Sequence, residues 1–392
     1  MTNDPSEEWS PPFLCSNCGR DYPGHGLPYR CSHCGAHFDL ADGVRYAPGA
    51  GRGLDRYSES FPLPPNSPFY TLGEGGTPLI SEELGQGQVY FKCEHLNPTG
   101  SFKDRGTVVL VSALKAAGVE RAVEDSSGNA GASFAAYAAR AGIRARVLVP
   151  DYASGPKLAQ IEAYGAELVR IAGSRSETAE AAIRAAENGA VYASHAYLPH
   201  VLAGTATLAF EVAETLGRAP GAIIFPVGQG TLLLGAYLGF KALLEAGVTQ
   251  VMPMLIGVQA QVCAPLWAVY MGGSARLNWV SEQETIAEGI RIVAPVRGDA
   301  VLRAVEETNG EFVAVEEDEI QRGLGELAQR GYLVEPTSAV IWAALEKLRS
   351  DLPEPVVAVL TGSGFKTRPA SWPVGVGRGD KKRVTSRQGN LP

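Results

Sequence analysis

The 392 residues are 45% hydrophobic and 19% charged, which excludes wholesale disorder and allows two to three domains at roughly 150 residues each. Lys plus Arg number 34 against 42 Asp plus Glu, and the resulting formal charge of −8 argues against a protein that coats nucleic acid or a polybasic membrane surface. Met1 to Ser10 is polar and acidic, without the apolar stretch of a secretory signal.

The first element is a cysteine module over residues 1–45. Cys15, Cys18, Cys31 and Cys34 form two CxxC pairs separated by twelve residues. Each CxxC puts two thiolates on one tight turn, and two such turns can close a tetrahedron around zinc as a zinc ribbon. Disulfides and a thioredoxin-like redox pair are the alternatives; the first needs an oxidising compartment and the second a surrounding βαβ pattern. Four thiolates leave no open position on the metal, so its role is structural. Arg20, Asp21 and Arg30 are the formal charges between Cys15 and Cys34, too few to track phosphates. His25, His33 and His37 read as loop residues, and Cys93 and Cys263 as small buried hydrophobes.

Residues 46–88 are rich in Gly, Pro and Ser and read as an extended connector. Short apolar runs then alternate with alanine-rich amphipathic segments. Strands are expected at Val89–Lys92, Arg146–Val149, Leu168–Ile171, Ile223–Val227, Met254–Gln259 and Val356–Leu360. Helices are expected at Ala132–Ala141, Lys157–Tyr164, Glu177–Glu187, Val201–Leu216, Leu232–Ala246, Asp318–Gly331 and Ser338–Leu348. This order implies mostly parallel sheet covered by helices, with ligands held where strand ends lead into helix starts. Two uncharged stretches, Pro220–Phe240 and Gly247–Ala275, reach the roughly 20 residues of a membrane span. Their internal Pro, Gly and Gln fit buried strand–loop–helix units instead, and the chain reads as cytoplasmic with no membrane or nucleic-acid partner. The basic stretch 366–392 reads as a disordered tail.

Three loops carry chemistry. Asn97 to Gly106 (NPTGSFKDRG) sets Lys103 before a helical pattern that starts near Thr107; an amine at such a place can lose its proton and act as a nucleophile. Asp125 to Gly131 (DSSGNAG) offers hydroxyls and free N–H groups as a carboxylate cradle, although serine and asparagine there also read as plain caps. Val227 to Leu232 (VGQGTL) lets backbone amides wrap a phosphate at a helix start, while lacking the dinucleotide fingerprint. An amine, a carboxylate cradle and a phosphate cradle together match the needs of pyridoxal phosphate chemistry on an amino-acid substrate.

These loops, with GEGGTPL (Gly73 to Leu79), AEGIRI (Ala287 to Ile292), EPTSA (Glu335 to Ala339) and LTGSGFK (Leu360 to Lys366), resemble the threonine synthase family of fold-type II pyridoxal-phosphate enzymes. The resemblance implies an α/β, tryptophan synthase β-like fold with two α/β domains behind the ribbon. The large one would take up residues 46–106 and 201–365, the smaller one 107–200. It implies that Lys103 carries the cofactor covalently and that Asn129 bonds the ring oxygen. Ser126, Ser127, Gly128 and Ala130 would hold the substrate carboxylate. Gly228, Gln229, Gly230, Thr231 and Leu232 would hold the cofactor phosphate, and Thr361 would meet the ring nitrogen. Phe102 and Glu288 would neighbour the ring. The implied reaction turns O-phosphohomoserine and water into threonine and phosphate, in a chain that family members usually pair as a homodimer.

The match departs at three places. The family usually reads TGNT where this chain has SSGNAG, and TGHG where it has TGSG, so Ala130 and Ser363 replace polar groups. An NPHR-like run that lends an arginine to the substrate phosphate is here Leu198-Pro199-His200-Val201. Lys157, Arg291 or His200 would have to replace that charge-assisted contact. A β-eliminating or β-replacing enzyme acting on serine, threonine or an O-activated serine is therefore the alternative. A non-catalytic protein that docks through its ribbon is a further one, against which Lys103 and the three loops stand.

Overall fold

The computed structural model describes residues 9–84, 87–281, 283–348 and 350–367. The tail expected from Lys366 therefore lies, from residue 368 on, outside the described residues.

The cysteine module is a two-stranded antiparallel sheet of β1 (Phe13–Cys15) and β2 (Phe38–Leu40). Its small core is Phe13, Tyr22 and Phe38 with Cys15 and Cys31, the rings meeting edge to face. Residues 46–88 differ from the expected connector. A 3₁₀ segment, Gly53–Ser60, buries Leu54 and Tyr57, and β3 (Leu79–Leu84) forms an antiparallel hairpin with β4 (Gly87–Lys92). In LISEEL the apolar residues are too sparse to signal a strand; pairing with β4 decides it.

After β4 the chain runs through α1 (Lys103–Ala116), β5 (Arg121–Glu124), α2 (Asn129–Ala141), β6 (Arg144–Pro150), α3 (Pro156–Ala163), β7 (Glu167–Ile171), α4 (Arg175–Glu187) and β8 (Val191–Tyr192). The four strands β7-β6-β5-β8 form one parallel sheet. There follow α5 (His200–Leu216), β9 (Ala222–Pro226), α6 (Thr231–Glu245), β10 (Met254–Ala260), α7 (Pro265–Gly272), α8 (Gly298–Glu307), β11 (Glu311–Val315), α9 (Glu317–Gln329), α10 (Pro336–Leu348) and β12 (Val356–Val359). They complete a second sheet, ordered β11-β10-β9-β12-β4-β3 and parallel except for β3.

Strand β9 shows why this sheet is covered on both faces. Ile223 and Phe225 join the core under α1, α5 and α6, whereas Ala222 and Ile224 join the core under α9 and α10. All five residues of β9 are buried, the continuous apolar run of a doubly covered parallel strand. Each large side chain so buried contributes roughly 1.5–3 kcal/mol. No helix among the described residues is long and apolar enough to cross a membrane.

The ribbon is fastened to the body by Arg297, at the entrance to α8. Its Nε donates to Asp39 Oδ1 (2.6 Å), and its Nη2 to the carbonyls of Phe38 (2.7 Å) and Tyr197 (2.8 Å). Its Nη1 donates to the carbonyl of Ala196. Nearby, Arg30 donates to the Tyr197 hydroxyl and lies over its ring.

Candidate active site

The helices α1, α2 and α6 all start at the carboxyl ends of strands, and their first residues face one cavity of about 1000 Å³. Lys103, Phe102, Ser126, Ser127, Gly128, Asn129, Ala130, Gly228, Gln229, Gly230, Thr231, Leu232 and Thr361 all line it, as do Lys157, Glu288 and Arg291.

Lys103 is the first residue of α1, four positions before the expected start at Thr107. The helix runs unbroken through Gly106, where a Cβ would come within 2.5 Å of Val201 Cγ1; the glycine serves close packing on α5 and ends nothing. Asp104 fixes the entrance: its Oδ2 accepts from Thr99 N–H (2.7 Å) and its Oδ1 from the hydroxyls of Thr99 and Ser133 (2.6 Å each). Burial lowers the Lys103 ammonium to about 8 despite the pull of Glu124 and Glu335. Its Nζ lies 4.8 Å from the centre of the Phe102 ring. The lowered value makes the neutral amine, the form that attacks a carbonyl, accessible near physiological pH, although the ammonium still predominates there.

Helix α2 begins at Asn129 instead of Ala132, with Gly128 as its cap and no side-chain cap bond, so Ser126, Ser127 and Asn129 are not plain caps. Ser126 Oγ accepts from Gly128 N–H (3.1 Å). Asn129 Nδ2 donates to Glu335 Oε1 (2.7 Å), and its buried Oδ1 has no partner among the described residues. Glu335 Oε2 lies 3.1 Å from Lys157 Nζ. Glu335, within EPTSA, was not among the expected site residues, although a carboxylate just before the start of α10 is a readable signal.

The turn Gly228–Thr231 opens α6. Gly230 has φ +75°, and a Cβ there would meet Val301 Cγ2 at 2.5 Å. A Cβ at Gly228 would approach the Gly289 carbonyl to 3.1 Å. Bare backbone at a helix start suits an anionic group. Thr361, just beyond β12, has its Oγ1 3.1 Å from Ser338 Oγ, and its carbonyl accepts from Phe102 N–H (3.1 Å).

The replacement proposed at His200 fails. His200 is 1% exposed and does not line the cavity; its ring packs 4.6 Å from that of Phe13 in the ribbon. Burial alone pushes its ring down to about 3, so it is uncharged at neutral pH. In the ribbon, the four Sγ atoms of Cys15, Cys18, Cys31 and Cys34 lie within 4.8 Å of one another and are not joined as disulfides. Cys93 and Cys263 are buried as expected, and burial raises the Cys93 thiol to about 12.

Residues 70–362 match the family described as pyridoxal-phosphate dependent enzyme. The threonine synthase of Synechocystis sp. is 37% identical over 326 residues, covering 80% of this chain and 83% of the relative. That of Methanocaldococcus jannaschii is 34% identical over 374 residues, covering 90% and 92%. The chain belongs to the threonine synthase family of pyridoxal-phosphate-dependent enzymes. It shares the family's lyase class and fold-type II architecture. The crystal structure of a T.th. threonine deaminase superposes with a TM-score of 0.62 at 27% identity, over 75% of this chain and 94% of that one. Maize serine racemase, at 0.64 and 21% identity, shares the fold.

The residues present fit the family's cofactor. A buried amine of lowered pKa, an unpartnered buried Asn129 Oδ1 and a side-chain-free turn at a helix start stand around one cavity. An aldehyde, a ring oxygen and a phosphate are the groups such residues accept.

Proposed function

We propose that this chain converts O-phosphohomoserine and water to threonine and phosphate. The observation that carries the reading is that Lys103, Asn129 and the Gly228–Thr231 turn share one cavity in a chain akin to threonine synthases over most of its length. In this reading Lys103 would hold the cofactor's aldehyde and, as a free amine, would take the α-proton of the substrate. Asn129 holds the ring oxygen, Ser126 to Ala130 hold the substrate carboxylate, and Gly228 to Leu232 hold the cofactor phosphate. Thr361 meets the ring nitrogen with a neutral hydroxyl, and Phe102 and Glu288 flank the ring. Pyridoxal phosphate, when bound, supplies the electron withdrawal that loosens bonds at the α-carbon.

Lys157 and Arg291 are the cavity cations we assign to the substrate phosphate. A second reading, β-elimination on serine or threonine, is favoured by one observation: the Leu198–Val201 stretch sends no cation into the cavity, because Leu198 and Val201 are buried and His200 faces the ribbon. Incubation with O-phosphohomoserine, threonine, serine and O-phosphoserine in parallel separates the two. Threonine with phosphate supports synthesis; ammonia with a 2-oxo acid from threonine or serine replaces it.

For the four converging thiols we propose one structural zinc ion, held by Cys15, Cys18, Cys31 and Cys34. We also propose the domain limits and a homodimer on the family resemblance, and a cytoplasmic location on the unbridged thiols, which suit a reducing compartment.

A further inference from the structure

One wall of the cavity is the imidazole of His195, which is paired behind the wall with the buried carboxylate of Glu124; none of the three loops supplied this pair. Glu124 ends β5, and His195 follows β8 by three residues. The two strands run parallel, with Ala122 opposite Val191 and Val123 opposite Tyr192, so their ends emerge side by side. His195 Nδ1 thus lies 2.7 Å from Glu124 Oε1, and the ring lines the same cavity as Lys103. The Glu124 side chain is 1% exposed and that of His195 is 16% exposed. With Nδ1 assigned as the donor to the carboxylate, Nε2 keeps its lone pair.

The charged groups that act on His195 are Glu124 and Asp125 at the end of β5, Lys103 at the start of α1, and Arg175 at the start of α4. Asp125 is engaged elsewhere: its Oδ2 lies 2.7 Å from Arg175 Nη1, and its Oδ1 accepts from the Tyr192 hydroxyl (2.8 Å). Glu124 is therefore the carboxylate that backs the ring. Burial first, then the charge of Lys103, hold the imidazole well below its usual range and so neutral.

Proton bookkeeping gives the pair a task. The threonine synthase reading, on which this inference rests, adds water to the β-carbon and returns a proton to the α-carbon. Lys103 serves the α-carbon, so the proton that water sheds passes to another group on its way to the expelled phosphate. Glu335 is occupied by Asn129 and Lys157. We propose that His195, oriented by Glu124, is the catalytic base for this water. The water oxygen forms the C–O bond with a lone pair, and one O–H bond breaks, its proton passing to Nε2. The π pair of the dephosphorylated substrate's carbon–carbon double bond moves to the α-carbon, which takes the proton held by Lys103. The imidazolium, stabilised by Glu124, passes its proton to the expelled phosphate, which leaves Lys103 as the neutral amine and His195 as the neutral imidazole, so both groups are reset.

The test uses the holoenzyme and its His195→Asn and Glu124→Gln variants with O-phosphohomoserine. Four quantities are followed: cofactor absorbance, exchange of the α-proton with deuterated solvent, phosphate release, and threonine formed per phosphate. His195→Asn is expected to keep the absorbance and to hold exchange and phosphate release within about threefold. Threonine per phosphate falls about 100-fold, the size of a lost general base, with 2-oxobutyrate and ammonia making up the difference. Glu124→Gln falls about tenfold. An unchanged ratio of threonine to phosphate in His195→Asn overturns the proposal, and so does a parallel fall of all activities, which marks a structural role. If the parent itself yields no threonine and phosphate, the reading beneath the proposal fails, and the parent alone shows it.

Discussion

Arg105 Nη2 and Glu211 Oε2 lie 2.7 Å apart, with the guanidinium wholly buried two residues beyond the cavity lysine. The same guanidinium bonds both oxygens of Glu94 (2.6 and 2.7 Å), and Lys92 Nζ reaches Glu211 Oε2 at 2.6 Å. This cluster pins the first turn of α1 to β4 and α5, and with it the direction in which Lys103 leaves the helix.

Arg105→Met is expected to cost about 3–5 kcal/mol, because two buried carboxylates would share one lysine. Urea denaturation of the apo chain checks it, and Arg105→Lys should recover only part of the loss, since an ammonium cannot replace a bidentate fork. The cluster also predicts acid lability. Burial raises Glu211, yet Arg105 and Lys92 outweigh it and hold the carboxyl at about 2, below its ordinary 4.5. Its contribution is therefore complete above about pH 4.5 and is lost as pH falls toward 2.

Replacing Lys103 by Met should abolish turnover and the absorbance of a lysine-bound cofactor while the fold survives. The apo variant should also be more stable than the apo parent at pH 7. Burial lowers this ammonium from 10.5 to about 8, so the parent carries a charging penalty that is complete below pH 8 and relieved as pH rises to 10.5. Melting temperatures across pH 7 to 10.5 should converge; parallel curves would refute the buried amine.

Gly230→Ala meets two obstacles, the positive φ and the Val301 methyl 2.5 Å from the added carbon. Overpacking of this kind costs about 1–3 kcal/mol, and the distorted turn should weaken cofactor affinity more than tenfold. Spectral titration of the apo protein with pyridoxal phosphate measures it. Affinity equal to that of the parent would remove the turn from the phosphate site.

Metal analysis should find one zinc per chain, absent from Cys18→Ser. Because Arg297 binds Asp39 and Phe38 of the ribbon and also the carbonyls of Ala196 and Tyr197, next to His195, loss of the ion should lower the melting temperature and raise KM. Zinc-free protein with unchanged melting and KM would leave the ribbon without influence on the cavity.

The three loops were legible because each joins a strand end to a helix start within about ten residues, with turn formers and chemistry adjacent in the chain. The Glu124–His195 pair was not, since it depends on the β5–β8 register and β8 is only two residues long. Such a strand has no periodicity to read. The start of α1 was misplaced because Gly106 reads as a breaker, while its closeness to Val201 is a tertiary fact. The His200 assignment failed likewise: nothing local says that a ribbon 187 residues earlier, counted from Phe13, packs its ring there.

The grip of Arg297 on the ribbon bears on any attempt to trim this enzyme. A chain begun at residue 46 would strip the guanidinium of Asp39 and Phe38 and uncover the ring of His200. The shortened protein would retain every group that touches reactants and still work poorly, its catalytic floor unpropped. The amino-terminal module would then act as a buttress for a cavity that none of its described residues lines.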